Sequence, residues 1–230
     1  MGGLFEATEK LDKKVIPGFI VPVNVLRRML KNVYFIWGSN EGIAVADELG
    51  RRYGLYVYHT CDHRQKHSEN ADPILQPGLC TFKQQDNSFW TQPPEEAMQR
   101  EQSIVSDYTP MVIMDLIKLS GSYDGVICEN DIDIESIIQY VSHAVRISYR
   151  GTQDNSFFDW YESKIRERSD ISQDEKESYI RGVKPAIDKV KGEIPGETTL
   201  YGVKHIIWND NSTLQQAADE IAEHFGLASA

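Results

Sequence analysis

The chain is poor in cysteine and has no long apolar run. Its 230 residues include only three cysteines, Cys61, Cys80 and Cys128, and no CxxC pair. The sequence therefore indicates no disulfide framework, and we expect thiols in a reducing compartment. The most apolar early stretch, residues 15–26, is too short to span a bilayer and is broken by two prolines and a glycine. A basic segment followed by an uninterrupted apolar run is also lacking at the start, so we expect no secretory signal and a cytoplasmic protein.

Positive charge is scarce as well. Lys and Arg number 24 against 35 Asp and Glu, which gives a formal net charge of -11. Such a surface repels the phosphates of nucleic acids and of anionic membranes, so we expect neither as a partner. The net charge does not exclude a small anionic substrate that is held in a local basic pocket. The sequence does not indicate an oligomeric state.

What the chain does contain is an alternation of β-prone and helical segments. The predicted strands are residues 32–37, 55–59, 125–129, 144–148 and 203–208. The predicted helices are residues 43–53, 93–119, 134–140, 155–190 with a break near 169–172, and a last helix that ends near 225 after a Ser212-x-x-Gln215 capping box. Residues 60–92 look polar and irregular. Continuous apolar strands indicate burial on both faces. The pattern therefore predicts an α/β fold of three layers, with a parallel five-stranded sheet flanked by helices. We assign residues 1–31 to an N-terminal extension and 32–230 to one domain.

Chemistry-bearing residues follow the predicted strands. In an open parallel sheet, ligands bind beyond the carboxyl ends of the strands. A glycine-bearing loop that leads into a helix can hold phosphate through free backbone N–H groups. Many strand-to-helix turns contain two glycines, so the loop by itself is weak support. The residues expected around one crevice are Gly38, Ser39, Asn40 and Gly42 in the loop, with Asp62, Glu129 and Arg150 on other segments.

Several segments share the pattern of one family. They are residues 34–39 (YFIWGS), 45–55 (VADELGRRYGL), 58–63 (YHTCDH), 71–73 (ADP), Trp90 with Pro93, Glu95 and Glu96, 127–129 (ICE) and 207–212 (IWNDNS). Together they resemble the small bacterial P-loop kinases of the nucleoside, nucleotide and shikimate kinase type, over most of residues 32–227. The resemblance implies a P-loop kinase-like domain in which the second strand does not lie beside the first. It also implies a helical lid near residues 150–190, ATP and Mg²⁺ as cofactors, and a nucleotide or other small-molecule ligand.

The chain departs from that family at the phosphate-binding loop. A working loop reads G-x-x-x-x-G-K-[ST], with Lys on the phosphates and the hydroxyl on Mg²⁺. Here the stretch reads GSNEGIA from Gly38, with Gly42 near the Lys position and Ile43 near the hydroxyl position. Glu41 would repel a triphosphate. We therefore expect ATP to bind weakly or not at all, and a degenerate kinase-like protein with a binding or regulatory role. The alternative is an active nucleoside- or sugar-type kinase in which Arg150 or Lys83 replaces the missing lysine.

The resemblance also implies catalytic roles. Asp62 corresponds to the carboxylate that accepts the substrate's hydroxyl proton; the alternative is a solvated loop acid. Glu129 corresponds to an acid that positions magnesium or water, although the acidic run 129–133 is equally suited to capping a helix. Arg150 corresponds to an anion-contacting arginine, as do Arg146, Arg166 and Arg168; an Arg- and Glu-rich helix is also typical of a solvated face.

Two further hypotheses concern a metal and a cap. Asp62, His63 and Glu129 are the residues that a repurposed metal enzyme would use, and His63 and His67 are four residues apart. No convincing third ligand accompanies the two histidines, so we predict no metal site.

Glu41 either turns inward and accepts N–H bonds from the helix that follows it, or faces solvent.

Overall fold

A computed structural model describes residues 22–39, 41–82, 94–129, 132, 137–149, 162–163, 165–192 and 203–227 of the chain. The strands are β1 Val33–Gly38, β2 Tyr56–His59, β3 Val126–Glu129, β4 His143–Tyr149 and β5 Lys204–Trp208. The helices are α1 Val23–Met29, α2 Glu41–Tyr53, α3 Thr60–Glu69, α4 Pro77–Phe82, α5 Pro94–Ser120, α6 Gln173–Gly192 and α7 Leu214–Phe225. A 3-10 turn covers Ile138–Tyr140.

The five strands form one parallel sheet in the order β2-β3-β1-β4-β5. The predicted five-stranded parallel sheet is confirmed, and so is the expectation that the second strand does not lie beside the first. Strand β1 occupies the centre, where it is covered on both faces. Phe35 packs into the core on one face of the sheet and Ile36 into the core on the other. The continuous apolar run of this strand is the sequence pattern that such burial requires.

Helices cover both faces of the sheet, as the three-layer prediction requires. On one face, α2 and α7 contribute Leu49 and Ile221 to a core that includes Ile36. On the other face, α5 contributes Tyr108 and Leu116 to a larger core. Helix α1 lies within the predicted N-terminal extension, and its residue Leu26 belongs to this larger core. None of the helices in the described part of the chain combines the length and apolar character that crossing a bilayer demands.

The prediction that residues 60–92 are irregular is wrong for their first part. Helix α3 follows β2 without a loop, and α4 follows after a short turn. The inward positions of α3 are Thr60, Arg64 and Ser68, all buried and spaced four residues apart. Because these side chains are polar, the segment shows no apolar period. Hydrophobic periodicity therefore could not predict the buried face of this helix. Residues 83–93 lie outside the described part.

The predicted helix 134–140 is a 3-10 turn at Ile138–Tyr140, and residues 134–136 lie outside the described part. The capping box of α7 lies one residue later than predicted: Thr213 accepts a hydrogen bond from Gln216 N, and the Gln216 side chain accepts one from Thr213 N. The hydroxyl of Ser212 accepts instead from Asn209 N. Gly226 ends α7 in the left-handed conformation, as expected. The break near residues 169–172 is also confirmed, because α6 begins at Gln173. Residues 150–161 and 164 of the predicted lid lie outside the described part.

Gly38 is expected to be the most substitution-sensitive glycine of the sheet. Its φ is +122°, and a Cβ there would lie 1.9 Å from the carbonyl oxygen of Ile147 in β4. A backbone atom cannot move aside as a flexible side chain can. Gly38→Ala should therefore lower the free energy of unfolding by about 3 kcal/mol or more. Denaturant unfolding followed by circular dichroism measures the change.

Gly182→Ala is the matched control, because a Cβ at this position of α6 meets open space. Removing a helical glycine there should stabilise the protein by up to about 1 kcal/mol. If Gly38→Ala is as stable as the wild type, the close contact between the end of β1 and Ile147 is wrong.

Candidate functional site

The connection between β1 and α2 lies at the centre of the carboxyl edge of the sheet. Strand β1 ends at Gly38 and α2 begins at Glu41, so only two residues separate them. Ser39 N donates a hydrogen bond of 2.9 Å to Ile147 O, and Gly42 N donates one of 3.0 Å to Ser39 O. These two amides are thus engaged within the protein. A phosphate cradle needs a loop whose N–H groups point at the ligand, and this turn directs two of its amides elsewhere.

The predicted cofactor-binding residues lie in and beside this turn. Gly38 ends β1, Ser39 lies in the turn and Gly42 is the second residue of α2, whereas Asn40 lies outside the described residues. The hydroxyl of Ser39 is buried and has no hydrogen-bond partner in the described part of the chain. Glu41 is partly exposed, and the hydrogen bonds of the described residues include none from the start of α2 to its carboxylate. The structure therefore gives no support to the inward-turned, capping Glu41.

A histidine between two carboxylates lies beside this turn, and we call Asp47, His59 and Glu129 the histidine cluster. His59 ends β2 and is the cross-strand partner of Glu129, which ends β3. His59 Nδ1 lies 3.1 Å from Glu129 Oε2, and His59 Nε2 lies 3.1 Å from Asp47 Oδ1 on α2. The Glu129 side chain is 2% exposed and that of Asp47 is 62% exposed. The ring thus connects a buried acid to a surface acid.

The contacts of the histidine cluster favour the positively charged ring. A neutral imidazole donates a hydrogen bond from only one ring nitrogen, whereas an imidazolium donates from both. Burial lowers the pKa of His59, but the hydrogen bonds to Glu129 and Asp47 outweigh it, so the pKa is raised above its usual value. The positive ring offsets part of the charge of the buried Glu129 carboxylate, which would otherwise be costly to bury.

Hydrogen bonds to the main chain fix the start of α3 at the same edge. Thr60 Oγ1 donates to the carbonyl oxygen of Glu129 at 3.0 Å. The hydroxyl of Tyr108, on α5, donates to the carbonyl oxygen of Thr60 at 2.5 Å. All three residues are buried. The end of β3, the start of α3 and the middle of α5 are therefore held together, which places the first turn of α3 next to the histidine cluster.

The structure places Asp62 and Glu129 near one edge but gives them different surroundings. Asp62 is exposed on the first turn of α3, with the Cys61 thiol 3.7 Å from its Oδ1. Glu129 is buried and contacts His59. Asp62 is therefore open to solvent, whereas one oxygen of Glu129 is already engaged within the protein. The third predicted catalytic residue, Arg150, lies outside the described residues, as does Lys83.

Two of the other predicted arginines contact acidic residues close to them in sequence, and the third lies within a strand. Arg166 contacts Glu162 and Glu177, and Arg168 contacts Asp170. The Arg166 ion pairs fit the interpretation of a solvated helical face. Arg168 lies in the break before α6, and its side chain is mostly buried. Arg146 lies within β4, as the register partner of Trp37 in β1.

The histidines His63 and His67 do not come together at a metal. The ring of His63 stacks on Tyr58 at 4.3 Å. His67 Nε2 lies 2.8 Å from Asp115 Oδ2, the same oxygen that accepts from the Tyr58 hydroxyl at 3.0 Å. Throughout the part of the chain that the structure describes, no three His, Cys, Asp or Glu side chains are arranged to hold a metal ion.

Sequence reasoning missed His59 and Asp47 as members of the site. Both residues lie in segments that carry the resemblance, 45–55 and 58–63, but neither was given a role in the site. The signal was present in the strand ends: a polar residue ends β2 and an acid ends β3. It becomes readable only when these two strands are known to be neighbours.

The chain matches no protein-family model, and no curated protein sequence is similar enough to count as a relative. The functional interpretation therefore depends on the sheet order, the β1–α2 turn and the histidine cluster.

The stabilisation that His59 provides should depend on pH. Because its pKa is raised in the folded protein, this stabilisation is complete below the usual pKa of 6.5 and is lost as the pH rises through the higher folded value. We expect the difference in free energy of unfolding between wild type and His59→Gln to be largest in acid. The measurement is denaturant unfolding of both proteins from about pH 5 to about pH 9. A difference that grows with pH would show that the ring is held neutral.

Proposed function

We propose that the chain is a P-loop kinase-like protein whose ATP-dependent phosphotransfer is weak or lost, and that it acts by binding or regulation. The β1–α2 turn carries this proposal. Phosphoryl transfer depends on positioning and electrostatic stabilisation of the phosphates. A two-residue connection whose Ser39 and Gly42 amides are engaged internally, with no lysine at its end, offers little of either.

The sheet supports the kinase-like part of the proposal. The glycine turn follows the central strand β1; Asp62 lies on α3, directly after β2, and Glu129 is the last residue of β3. These are the positions at which an open parallel sheet presents ligand-binding groups. We take the region near residues 150–190 as the lid, with ATP and Mg²⁺ bound weakly or not at all.

We also propose a small-molecule or nucleotide ligand, rather than nucleic acid, and a cytoplasmic location. The formal net charge of -11 supports the first point, because it opposes binding to a polyanion. Cys61, Cys80 and Cys128 are all free thiols, which suits a reducing compartment.

An active small-molecule kinase with a non-standard loop is the second candidate. One observation favours it: Asp62 is exposed at the carboxyl edge, where a substrate hydroxyl can reach it. In that case, a cation from another part of the chain would have to contact the phosphates.

Isothermal titration of the full chain with ATP, with and without Mg²⁺, tests the proposal. We expect no micromolar affinity and no transfer, or very slow transfer, of phosphate to nucleoside or sugar acceptors, because the lysine and the hydroxyl are missing. Micromolar or tighter Mg-ATP binding would contradict this. Robust transfer that Asp62→Asn abolishes would establish the second candidate instead.

A loop graft tests whether the short turn is the cause. Residues 39–43 are replaced by a segment that completes G-x-x-x-x-G-K-T after the native Gly38. This graft should gain Mg-ATP affinity by about tenfold or more over the wild type. The matched control is the same graft with Ala in place of the new Lys. Equal affinities of the two grafts, both folded by circular dichroism, would show that the edge is not a former phosphate site.

A further inference from the structure

The histidine cluster bears on whether this edge can hold a divalent cation. The resemblance implies Mg²⁺, with Glu129 as the acid that positions the ion or water. Mg²⁺ binds oxygen ligands and is held by one or two carboxylates together with several waters. Here Glu129 Oε2 faces a ring nitrogen of His59, and Asp47 Oδ1 faces the other ring nitrogen. Each acid thus has one oxygen in contact with the ring, and the ring fills the space between the two acids, so this arrangement does not fit a Mg²⁺ ion held by both of them.

We propose that His59 takes the place of a divalent cation between Glu129 and Asp47 and keeps the carboxyl edge closed to one. This inference deepens the proposed function and rests on it for the identity of the excluded ligand. The contacts themselves do not depend on that function, because they follow from the register of β2 and β3.

The main chain holds Glu129 in place for this contact. As the cross-strand partner of His59, Glu129 brings its side chain to the same end of the sheet. Thr60 donates to the Glu129 carbonyl, and Tyr108 in turn donates to the Thr60 carbonyl. The end of β3 is therefore held by the neighbouring strands β1 and β2 and by the hydrogen bond from Thr60. The backbone from which the Glu129 side chain extends is thus held by α3 and, through Thr60, by α5.

The two carboxylates lie at opposite ends of the ring. With the ring present they cannot share an ion directly, because the imidazole lies between them. With the ring removed, a buried and a surface carboxylate face each other across a gap of about its size. A hydrated cation, bound directly to one acid and through water to the other, suits such a gap.

The test measures Mn²⁺ binding to the full chain without nucleotide, by electron paramagnetic resonance of the free ion. Mn²⁺ is the probe because carboxylate and water ligands suit it. The wild type should show only the weak binding expected of an acidic surface. His59→Ser should add one site with a Kd on the order of 10⁻⁴ to 10⁻³ M, the range of weak carboxylate sites. Adding Glu129→Gln to His59→Ser should remove that site.

Asp124→Asn in the His59→Ser background is the matched control. Asp124 is an exposed acid just before β3, at the other end of the strand. The control removes the same charge as Glu129→Gln and should leave the added site intact. If it removes the site equally, the gain reflects general surface charge and the proposal is wrong.

Two further outcomes would overturn the proposal. One is a folded His59→Ser protein that gains no Mn²⁺ site. The other is an Mn²⁺ site in the protein with His59 intact, if the single substitution Glu129→Gln removes that site. Because nucleotide is absent, these results are independent of the ATP titration. Tight Mg-ATP binding with a gained Mn²⁺ site would contradict only the proposed function, and weak ATP binding without that site would contradict only the role of His59.

Discussion

The close contact between Gly38 and the Ile147 carbonyl is the constraint on which this carboxyl edge depends. A parallel strand that ends so near its neighbour has no room for a side chain, and Gly38 adopts a φ of +122° there. The chain then turns over β4, where Ser39 N donates to Ile147 O, and enters α2 two residues later. The turn that starts at this contact leads directly into α2, the helix that carries Asp47.

The start of α2 in turn determines which groups meet at the edge. A helix that begins immediately after the strand brings Asp47 to His59, so that a surface acid reaches the end of β2. Glu129 reaches the same ring from β3. The result is a local charge balance in which one imidazole ring faces a buried acid and a surface acid. The charge that balances Glu129 and Asp47 thus comes from the His59 ring and not from a bound cation.

The sequence predicted the sheet well and the candidate site only in part. The success and the shortfall have different physical causes. Strand β1 is apolar on both faces because it is central, so its pattern is legible without knowledge of its neighbours. Helix α3 is buried through Thr60, Arg64 and Ser68, and polar residues give no such pattern. The pairing of His59 with Glu129 depends on the order of the strands, which no local pattern contains.

The stability of this fold does not depend on the length of the β1–α2 turn. The two cores depend on residues such as Phe35, Leu49, Leu116 and Ile221, which are buried in the strands and helices and not in the turn. Phosphate-binding groups contribute little to such cores, because their amides and cations face a ligand. A shorter connection also costs less chain entropy to close. Under the proposed function, a shortened loop removes chemistry while leaving the sheet stable, and the acids at the strand ends can take an internal partner. His59 is that partner for Glu129.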